Sequence, residues 1–128
     1  NTPMEKFKEY YNKVLDGIQA RGSKPVVINR IPVYGQRYFD WFSRKSDPKA
    51  LMRFLGTTDS IEHWNEMYNL AVMRIAARRG VPMLDVRSAF LQKRNFDGLF
   101  SEDGIHPSPE GHRRMFEYIL PQTREILA

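Results

Sequence analysis

The sequence contains no cysteine among its 128 residues. This absence excludes disulfide scaffolds, thiolate metal sites and cysteine nucleophiles, but it does not separate a secreted protein from a cytoplasmic one. No apolar run approaches the roughly 18 to 20 residues that cross a bilayer, so no membrane span is predicted. There is also no internal repeat or low-complexity segment. The length fits one small domain or a part of one.

Charge of one sign is not concentrated anywhere along the chain. Lys and Arg number 20 and Asp and Glu number 15, which gives a formal net charge of +5. The basic residues are interspersed with carboxylates, and this distribution does not indicate a nucleic-acid partner. The sequence begins at Asn1 without Met or a signal-like apolar segment, so a processed protein or a piece of a longer one is expected. Localisation, secreted or cytoplasmic, is left open.

Three long helices are predicted from apolar residues that recur at spacings of three and four. They run from about Pro3 to Arg21, from Ser60 to Arg79, and from Ser108 to about Leu127. The first opens with a capping box at Thr2 to Glu5, and Pro121 is expected to bend or interrupt the last. The inward face of the second is predicted to hold Ile61, Trp64, Met67, Tyr68, Ala71 and Ile75.

Two short apolar runs, Pro25 to Pro32 and Val81 to Val86, predict buried strands of a parallel sheet covered on both faces. The intervening segment from Val33 to about Ser60 is predicted to be a long loop with short helical turns. A brief helix near Arg87 to Lys93 and a turn-rich loop from Phe96 to Ser108 follow. This alternation is typical of layered α/β folds. Because two strands are few for a sheet, the chain looks like the second half of a doubly wound domain.

The most informative residues are Asp103 and His106, which lie three apart in the loop before the last helix. Gly104 permits a tight turn between them, and Pro107 restricts the backbone of His106. A carboxylate bonded to one imidazole nitrogen leaves the other free to take a proton from a hydroxyl, as in the base half of a Ser-His-Asp system. A surface hydrogen bond of purely structural value is the alternative. A metal site with His112 is disfavoured because no further ligand is spaced with these residues.

The segment from Asp103 to His112 resembles the final conserved block of the SGNH, or GDSL, hydrolases, a family of esterases, lipases, thioesterases and carbohydrate deacetylases. The segment from Lys24 to Gly35 is similar to the family's penultimate core strand and the loop after it, and Gly80 to Val86 is similar to its last strand. The resemblance implies a three-layer α/β/α flavodoxin-like fold. Residues 1–128 would then be the C-terminal half of a single hydrolase domain.

The same resemblance implies that Asp103 is the triad acid and His106 the general base. The family's nucleophile lies in a Gly-Asp-Ser motif near the N-terminus, and this sequence contains no such motif. Ser60, Ser101 and Ser108 are the nearby hydroxyls, and none follows a strand in the way a nucleophile usually does. The expected partners are an ester substrate and the N-terminal part of the same protein, as a second chain or a missing segment. No metal or organic cofactor is expected.

A substrate pocket is also predicted, because such sites are concave and largely apolar. The candidate lining residues are Tyr34, Gly35, Trp41 and Ile105, with Tyr38, Phe39 and Phe42 as further aromatics of the same segment. Packing of these aromatics on one another is an equally open alternative. Asp85 follows the second strand, where active sites of open α/β sheets lie, but capping of the next helix is favoured.

These observations lead to the hypothesis of a serine ester hydrolase (a lipase or acylhydrolase, an esterase or a carbohydrate deacetylase) that forms an acyl-enzyme. This chain would supply the Asp and the His. The alternative hypothesis is a non-catalytic binding or assembly unit, or a pseudoenzyme, that retains the hydrolase half-fold. The sequence gives neither the acyl and alcohol specificity nor the oligomeric state.

Overall fold

A computed structural model describes residues 2–128, and Asn1 lies outside the described residues. In chain order the elements are α1 (Met4–Ala20), β1 (Val27–Ile28), α2 (Gly35–Ser43), α3 (Pro48–Leu55), α4 (Asp59–Arg79), β2 (Met83–Leu84), α5 (Arg87–Leu91), a short 3-10 helix (Asp97–Leu99) and α6 (Pro109–Leu127). Within residues 2–128, no helix combines the length and apolar character needed to cross a membrane.

The three long helices predicted from the sequence are confirmed as α1, α4 and α6, each to within a residue or two at its ends. The predicted capping box is wrong, because no side-chain cap opens α1 at Pro3. Pro121 does not interrupt α6, which continues to Leu127. Pro121 has no N–H group to donate to the backbone carbonyl one turn earlier in the helix. Because Pro121 is exposed, water can hydrogen-bond to that carbonyl instead.

The sheet is shorter and less covered than predicted. β1 and β2 pair in parallel, with Val27 opposite Met83 and Ile28 opposite Leu84. Val27 is 3% exposed, but Ile28 is 50% exposed and Val26 is 42% exposed. Successive residues of a strand point to opposite faces, so no described residue fully covers the face that carries Val26 and Ile28. The expectation of a strand buried on both faces is therefore wrong for β1.

The segment from Val33 to about Ser60 was predicted to be a long loop with short helical turns, and it instead forms two helices, α2 of nine residues and α3 of eight. Asp47 caps α3 by accepting a hydrogen bond from the Lys49 amide, Pro48 occupies the first turn, and Gly56 ends the helix with a φ of 74°. Asp, Pro and Gly at these positions are strong helix start and stop signals. The prediction was wrong because an eight-residue helix has too few turns to show clear apolar periodicity.

Two apolar clusters form the core. The first joins α1, β1 and α4, and its buried residues are Leu15, Val27, Val72, Ile75, Ala76 and Val81. The second lies beneath the loop before α6, and its buried residues are Ala89, Phe90, Leu99 and Phe100. The described residues form a helix-rich α/β unit, and two strands of two residues each do not establish three layers.

The buried face of α4 includes two asparagines that the predicted apolar face omits. Met67, predicted inward, is 53% exposed, whereas Asn65 and Asn69 are buried. Each asparagine has a partner that makes its burial tolerable. The side-chain oxygen of Asn69 accepts a hydrogen bond from the Arg30 amide at 3.0 Å, and that of Asn65 accepts one from Arg87 Nη1 at 3.0 Å.

Candidate active site

The loop that carries Asp103 and His106 closes on itself between the 3-10 helix and α6. Phe100 and Pro107 form an antiparallel bridge across its base. Above this bridge the Ser101 amide donates to the His106 carbonyl at 2.8 Å, and the Ser101 hydroxyl donates to the Pro107 carbonyl at 3.0 Å. Phe100 is also part of the second apolar cluster. The His loop, residues 100–107, is thus anchored to the core at its base.

Asp103 and His106 are brought into direct contact. His106 Nδ1 lies 2.5 Å from Asp103 Oδ2, and Asp103 Oδ1 accepts hydrogen bonds from the amides of Ile105 and His106, both at 3.0 Å. The Asp103 side chain is 14% exposed and the His106 side chain 71%. Since an ionised Asp103 can only accept, Nδ1 carries the proton and Nε2 is the ring nitrogen available as a base.

Asp103 is held in its charged form. Partial burial raises the pKa of Asp103, but the hydrogen bonds from the His106 ring and from the amides of His106 and Ile105 outweigh burial and hold that pKa below its ordinary value. The carboxylate therefore stays ionised at neutral pH. It can stabilise the imidazolium that forms when His106 accepts a proton.

Residues at the start of α2 and immediately before it make further contacts with the His loop. The Tyr34 amide, immediately before α2, donates to the Gly104 carbonyl at 2.8 Å. Gly104 has a φ of 74°, and a Cβ there would lie 2.9 Å from both the Tyr34 carbonyl oxygen and Arg37 Cβ. Arg37 Nη1 donates to the carbonyls of Asp97 at 3.1 Å and Ser101 at 3.4 Å. Sequence reasoning missed Arg37 because a lone arginine on a helix belongs to no motif.

A cavity of about 790 Å³ adjoins the His loop, and both Ile105 and His106 line it. Most of its wall is apolar and comes from α1 to α4 and from the segment after β1. The lining side chains include Phe7, Ile31, Val33, Tyr38, Phe39, Phe42, Leu51, Phe54, Leu55, Ile61, Trp64 and Tyr68, with Thr2, Arg30 and Asn65 as polar members. A concave apolar site with few polar groups is typical of small-molecule binding.

The predicted pocket residues divide between this cavity and other places. Ile105 lines the cavity, whereas Tyr34, Gly35 and Trp41 are not among its lining residues. Tyr34 lies beneath the Arg37 guanidinium, and the Gly35 amide donates to Glu62 Oε1 at 3.0 Å. The further aromatics Tyr38, Phe39 and Phe42 do line the cavity. Trp41 instead stacks on Tyr38, with ring centroids 6.4 Å apart.

The three serines singled out in the sequence bond elsewhere. The Ser60 hydroxyl donates to the Leu55 carbonyl, the Ser101 hydroxyl to Pro107, and the Ser108 hydroxyl to the Gly98 carbonyl. Ser108 also caps α6. Within residues 2–128, no serine is hydrogen-bonded to the His106 ring, and no group of three or more His, Asp and Glu residues could hold a metal ion. His112 is an exposed residue in the first turn of α6.

Asp85 caps α5 and ties the two strands together. Its Oδ1 accepts from Asn29 Nδ2 at 2.7 Å and from the Ser88 amide at 3.1 Å, and its Oδ2 accepts from the Ser88 hydroxyl at 2.5 Å. Asn29, buried at the end of β1, also accepts from the amides of Val86 and Arg87. Partial burial raises the pKa of Asp85, but the hydrogen bonds from Ser88 and Asn29 outweigh burial and lower it overall. In the sequence, the polar Asn29 within an apolar run is the signal that could have indicated this hydrogen-bond network.

Comparison with known proteins assigns the chain to a family. The sequence model of the GDSL-like lipase/acylhydrolase family matches residues 1–114, which include both strands and the Asp103–His106 pair. No curated protein matches the chain. The family match extends over far more than half of the 128 residues. The chain therefore belongs to the GDSL-like lipase/acylhydrolase family.

Proposed function

We propose that this protein is a serine ester hydrolase in which Asp103 and His106 are the acid and the base of a catalytic triad. Family membership points to ester hydrolysis in general. The observation that supports the two residue roles is the 2.5 Å contact between His106 Nδ1 and Asp103 Oδ2 on a loop beside a cavity. That contact orients the ring and leaves Nε2 as the nitrogen not bonded to Asp103.

The proposed mechanism is acyl transfer in two halves. A serine hydroxyl attacks the ester carbonyl while His106 Nε2 takes its proton, and the same nitrogen then protonates the departing alcohol. Water next attacks the acyl-serine bond with His106 again as the base, which releases the carboxylic acid and restores the serine. Asp103 stabilises the imidazolium in both halves. The mechanism requires no metal or organic cofactor.

The nucleophile is proposed to come from a segment outside these 128 residues. The sequence holds no Gly-Asp-Ser motif, and β1 pairs only with β2 among the described residues. The exposed side chains of Val26 and Ile28 offer apolar surface for further structure to cover. The chain would then be the C-terminal part of a three-layer α/β/α hydrolase domain. The N-terminal part, joined or as a second chain, would supply the serine and the oxyanion donors.

The test is a pair of histidine substitutions in the protein that includes the N-terminal part. His106→Ala should lower kcat/KM for a p-nitrophenyl ester by a factor of about 10³ or more, because the proton acceptor is removed. His112→Ala, the matched control on α6, should leave it unchanged. Circular dichroism checks that both variants fold.

Two results would contradict the proposal. Hydrolysis retained by His106→Ala would remove this residue as the base. A wild-type protein that no fluorophosphonate labels, and that hydrolyses no ester, would instead support the non-catalytic binding or assembly unit. Where labelling succeeds, mass spectrometry of the labelled peptide identifies the nucleophilic serine.

A further inference from the structure

We infer that Arg37 is a positioning residue, which holds the His loop in the shape that keeps Asp103 in contact with the His106 ring. Arg37 is not among the residues that line the cavity, so its side chain would act through the loop and not on the substrate. This inference deepens the proposed function and rests on it for the link to catalysis. The hold of Arg37 on the loop can be tested whether or not the protein hydrolyses esters.

The Arg37 side chain joins the His loop to the 3-10 helix before it. Its Nη1 donates to the Asp97 carbonyl at 3.1 Å and to the Ser101 carbonyl at 3.4 Å. The Ser101 carbonyl also accepts a hydrogen bond from the Gly104 amide at 3.1 Å, so both of its lone pairs are used. Hydrogen bonds from a charged donor are stronger than those between neutral groups. Arg37 therefore fixes the turn that begins at Ser101 and carries Asp103.

The other end of the same turn is held by the residue immediately before α2. The Tyr34 amide donates to the Gly104 carbonyl at 2.8 Å. The carbonyls of Ser101 and Gly104, which lie before and after Asp103, are thus both bound by one short segment that ends at Arg37. Because both ends of the turn are held, the carboxylate keeps a fixed position from which it accepts the imidazole N–H.

The guanidinium of Arg37 is itself held in place by aromatic rings. Its Cζ lies 4.8 Å from the centroid of the Tyr34 ring, which is a cation–π contact. The Tyr34 ring is tilted against Phe96 with centroids 6.3 Å apart, and Phe96 packs edge-on against the buried Phe100 at 5.4 Å. This stack belongs to the second apolar cluster. The donors of Arg37 are therefore preorganised, so less conformational freedom is lost when they bind the loop.

Arg44 provides a matched control, because it lies at the end of α2 and also contacts the His loop. It forms an ion pair with Glu102, and both side chains are exposed. Exposed ion pairs contribute little to stability. Replacing either arginine by methionine removes the donors and keeps an apolar stem. Arg37→Met and Arg44→Met thus remove the same group from the same helix, but Arg37 binds the backbone of the loop and Arg44 binds a side chain.

The first measurement is amide hydrogen exchange, followed by NMR in the protein that includes the N-terminal part. The amides of Ile105 and His106 both donate to Asp103 Oδ1, so their exchange reports whether the carboxylate keeps its position. In Arg37→Met their exchange should be about tenfold faster than in wild type, or more, whereas Arg44→Met should leave it unchanged. The buried amides of α4 should not change in either variant, which checks that the rest of the fold is intact.

The second measurement is ester hydrolysis by the same variants. A displaced base slows the chemical step, so Arg37→Met should lower kcat for a p-nitrophenyl ester by about 10- to 100-fold. KM should stay within about twofold, because Arg37 does not line the cavity. Arg44→Met should leave both constants unchanged. If Arg37→Met does not fold, Arg37→Lys replaces it. Lysine keeps the charge but lacks the planar fork of donors, so exchange and kcat should change in the same directions by smaller factors.

The outcomes separate this inference from the proposed function. Unchanged exchange at Ile105 and His106 in Arg37→Met would overturn the inference, whatever the protein hydrolyses. Equal effects of the two methionine variants, a kcat that does not fall, or a KM that rises as much as kcat falls would also overturn it. Faster exchange confined to Arg37→Met, in a protein that hydrolyses no ester, would support the hold on the loop and overturn the proposed hydrolase. Faster exchange together with a lower kcat would support both.

Discussion

At the scale of single residues, Asp103 determines the geometry of the His loop. One carboxylate oxygen accepts two backbone amides, and the other accepts the His106 ring. Asp103→Asn would present an amide that can also donate, so the ring would no longer be restricted to the tautomer with its proton on Nδ1. Ester hydrolysis by the protein that includes the N-terminal part should fall by a factor of about 10³ to 10⁴. Unchanged kcat/KM would show that Asp103 has no catalytic role.

Asp103 also gives a pH dependence of stability. Its pKa is lower in the folded chain than in the unfolded one, so the folded state is favoured above the unfolded value of about 3.9. That contribution is lost as pH falls through the lowered pKa. Urea unfolding of wild type and Asp103→Asn should show the stability advantage of wild type shrinking below about pH 4. A constant difference between pH 7 and pH 3 would contradict this assignment.

Gly104 is the second residue with a specific requirement. Its left-handed φ of 74°, and the two atoms 2.9 Å from the position of a Cβ, leave no room for a side chain. Gly104→Ala should cost about 1 to 3 kcal/mol of unfolding free energy, measured by chemical denaturation. Gly98→Ala is the control, because no atom lies within 4 Å of its Cβ position and its φ is not positive. Equal costs for the two variants would show that the fit around Gly104 is unimportant.

The sequence predicts the Asp103–His106 pair because both residues lie on one short loop, where spacing alone limits their separation. The Asn29 and Arg37 contacts are different. Each joins segments more than 50 residues apart in the chain, as in the bonds from Asn29 to Asp85 and from Arg37 to Asp97. Nothing in one local pattern specifies such pairs, so they become visible only when the fold brings the segments together.

At the scale of elements, the long helices were predictable and the short ones were not. α4 has about six turns, so its apolar pattern is repeated often enough to be recognised. Even there the predicted buried face was incomplete: Ala71 and Ile75 are buried as predicted, but Asn65 and Asn69, which are polar, were not included. Their hydrogen bonds make them suitable for the interior. α3 has about two turns and lies in a segment predicted to be a long loop with short helical turns, although the start and stop signals of a full helix were present.

The stability of α3 should depend on its cap. Asp47 accepts a hydrogen bond from the Lys49 amide. Asp47→Ala should therefore lower the free energy of unfolding by about 1 kcal/mol and raise the rate of amide hydrogen exchange within α3. Asp40→Ala on α2 is the control, since the hydrogen bond that Asp40 accepts within the described residues comes from the exposed Gln36 side chain. Exchange in α3 that does not change with Asp47→Ala would show that the cap is dispensable.

At the scale of the whole molecule, the exposed face of β1 is the feature on which the proposal of a further covering segment rests. The predicted strand is present, but the prediction that it is buried on both faces is wrong, because Val26 and Ile28 are exposed. Family membership was predictable from the block around His106, and the match over residues 1–114 confirms it. The three-layer architecture stays a prediction.

If an N-terminal part covers the exposed face of β1, one substitution should have opposite effects in the 128-residue chain and in the protein that includes that part. Ile28→Lys removes exposed apolar surface, so it should reduce self-association of the 128-residue chain, as measured by light scattering. In the protein that includes the N-terminal part, the same lysine would be buried and should lower unfolding stability by several kcal/mol. Leu127→Lys, at another exposed apolar position, should not destabilise that protein. An unaffected melting temperature for Ile28→Lys would contradict coverage of this face.

Helix α2 contacts both the cavity and the His loop. Tyr38, Phe39 and Phe42 line the cavity, while the Tyr34 amide and the Arg37 side chain hydrogen-bond to the backbone of the His loop. One segment, residues 34–42, therefore contributes both to the cavity wall and to the support of the His loop. A substitution that shifts α2 should disturb both together.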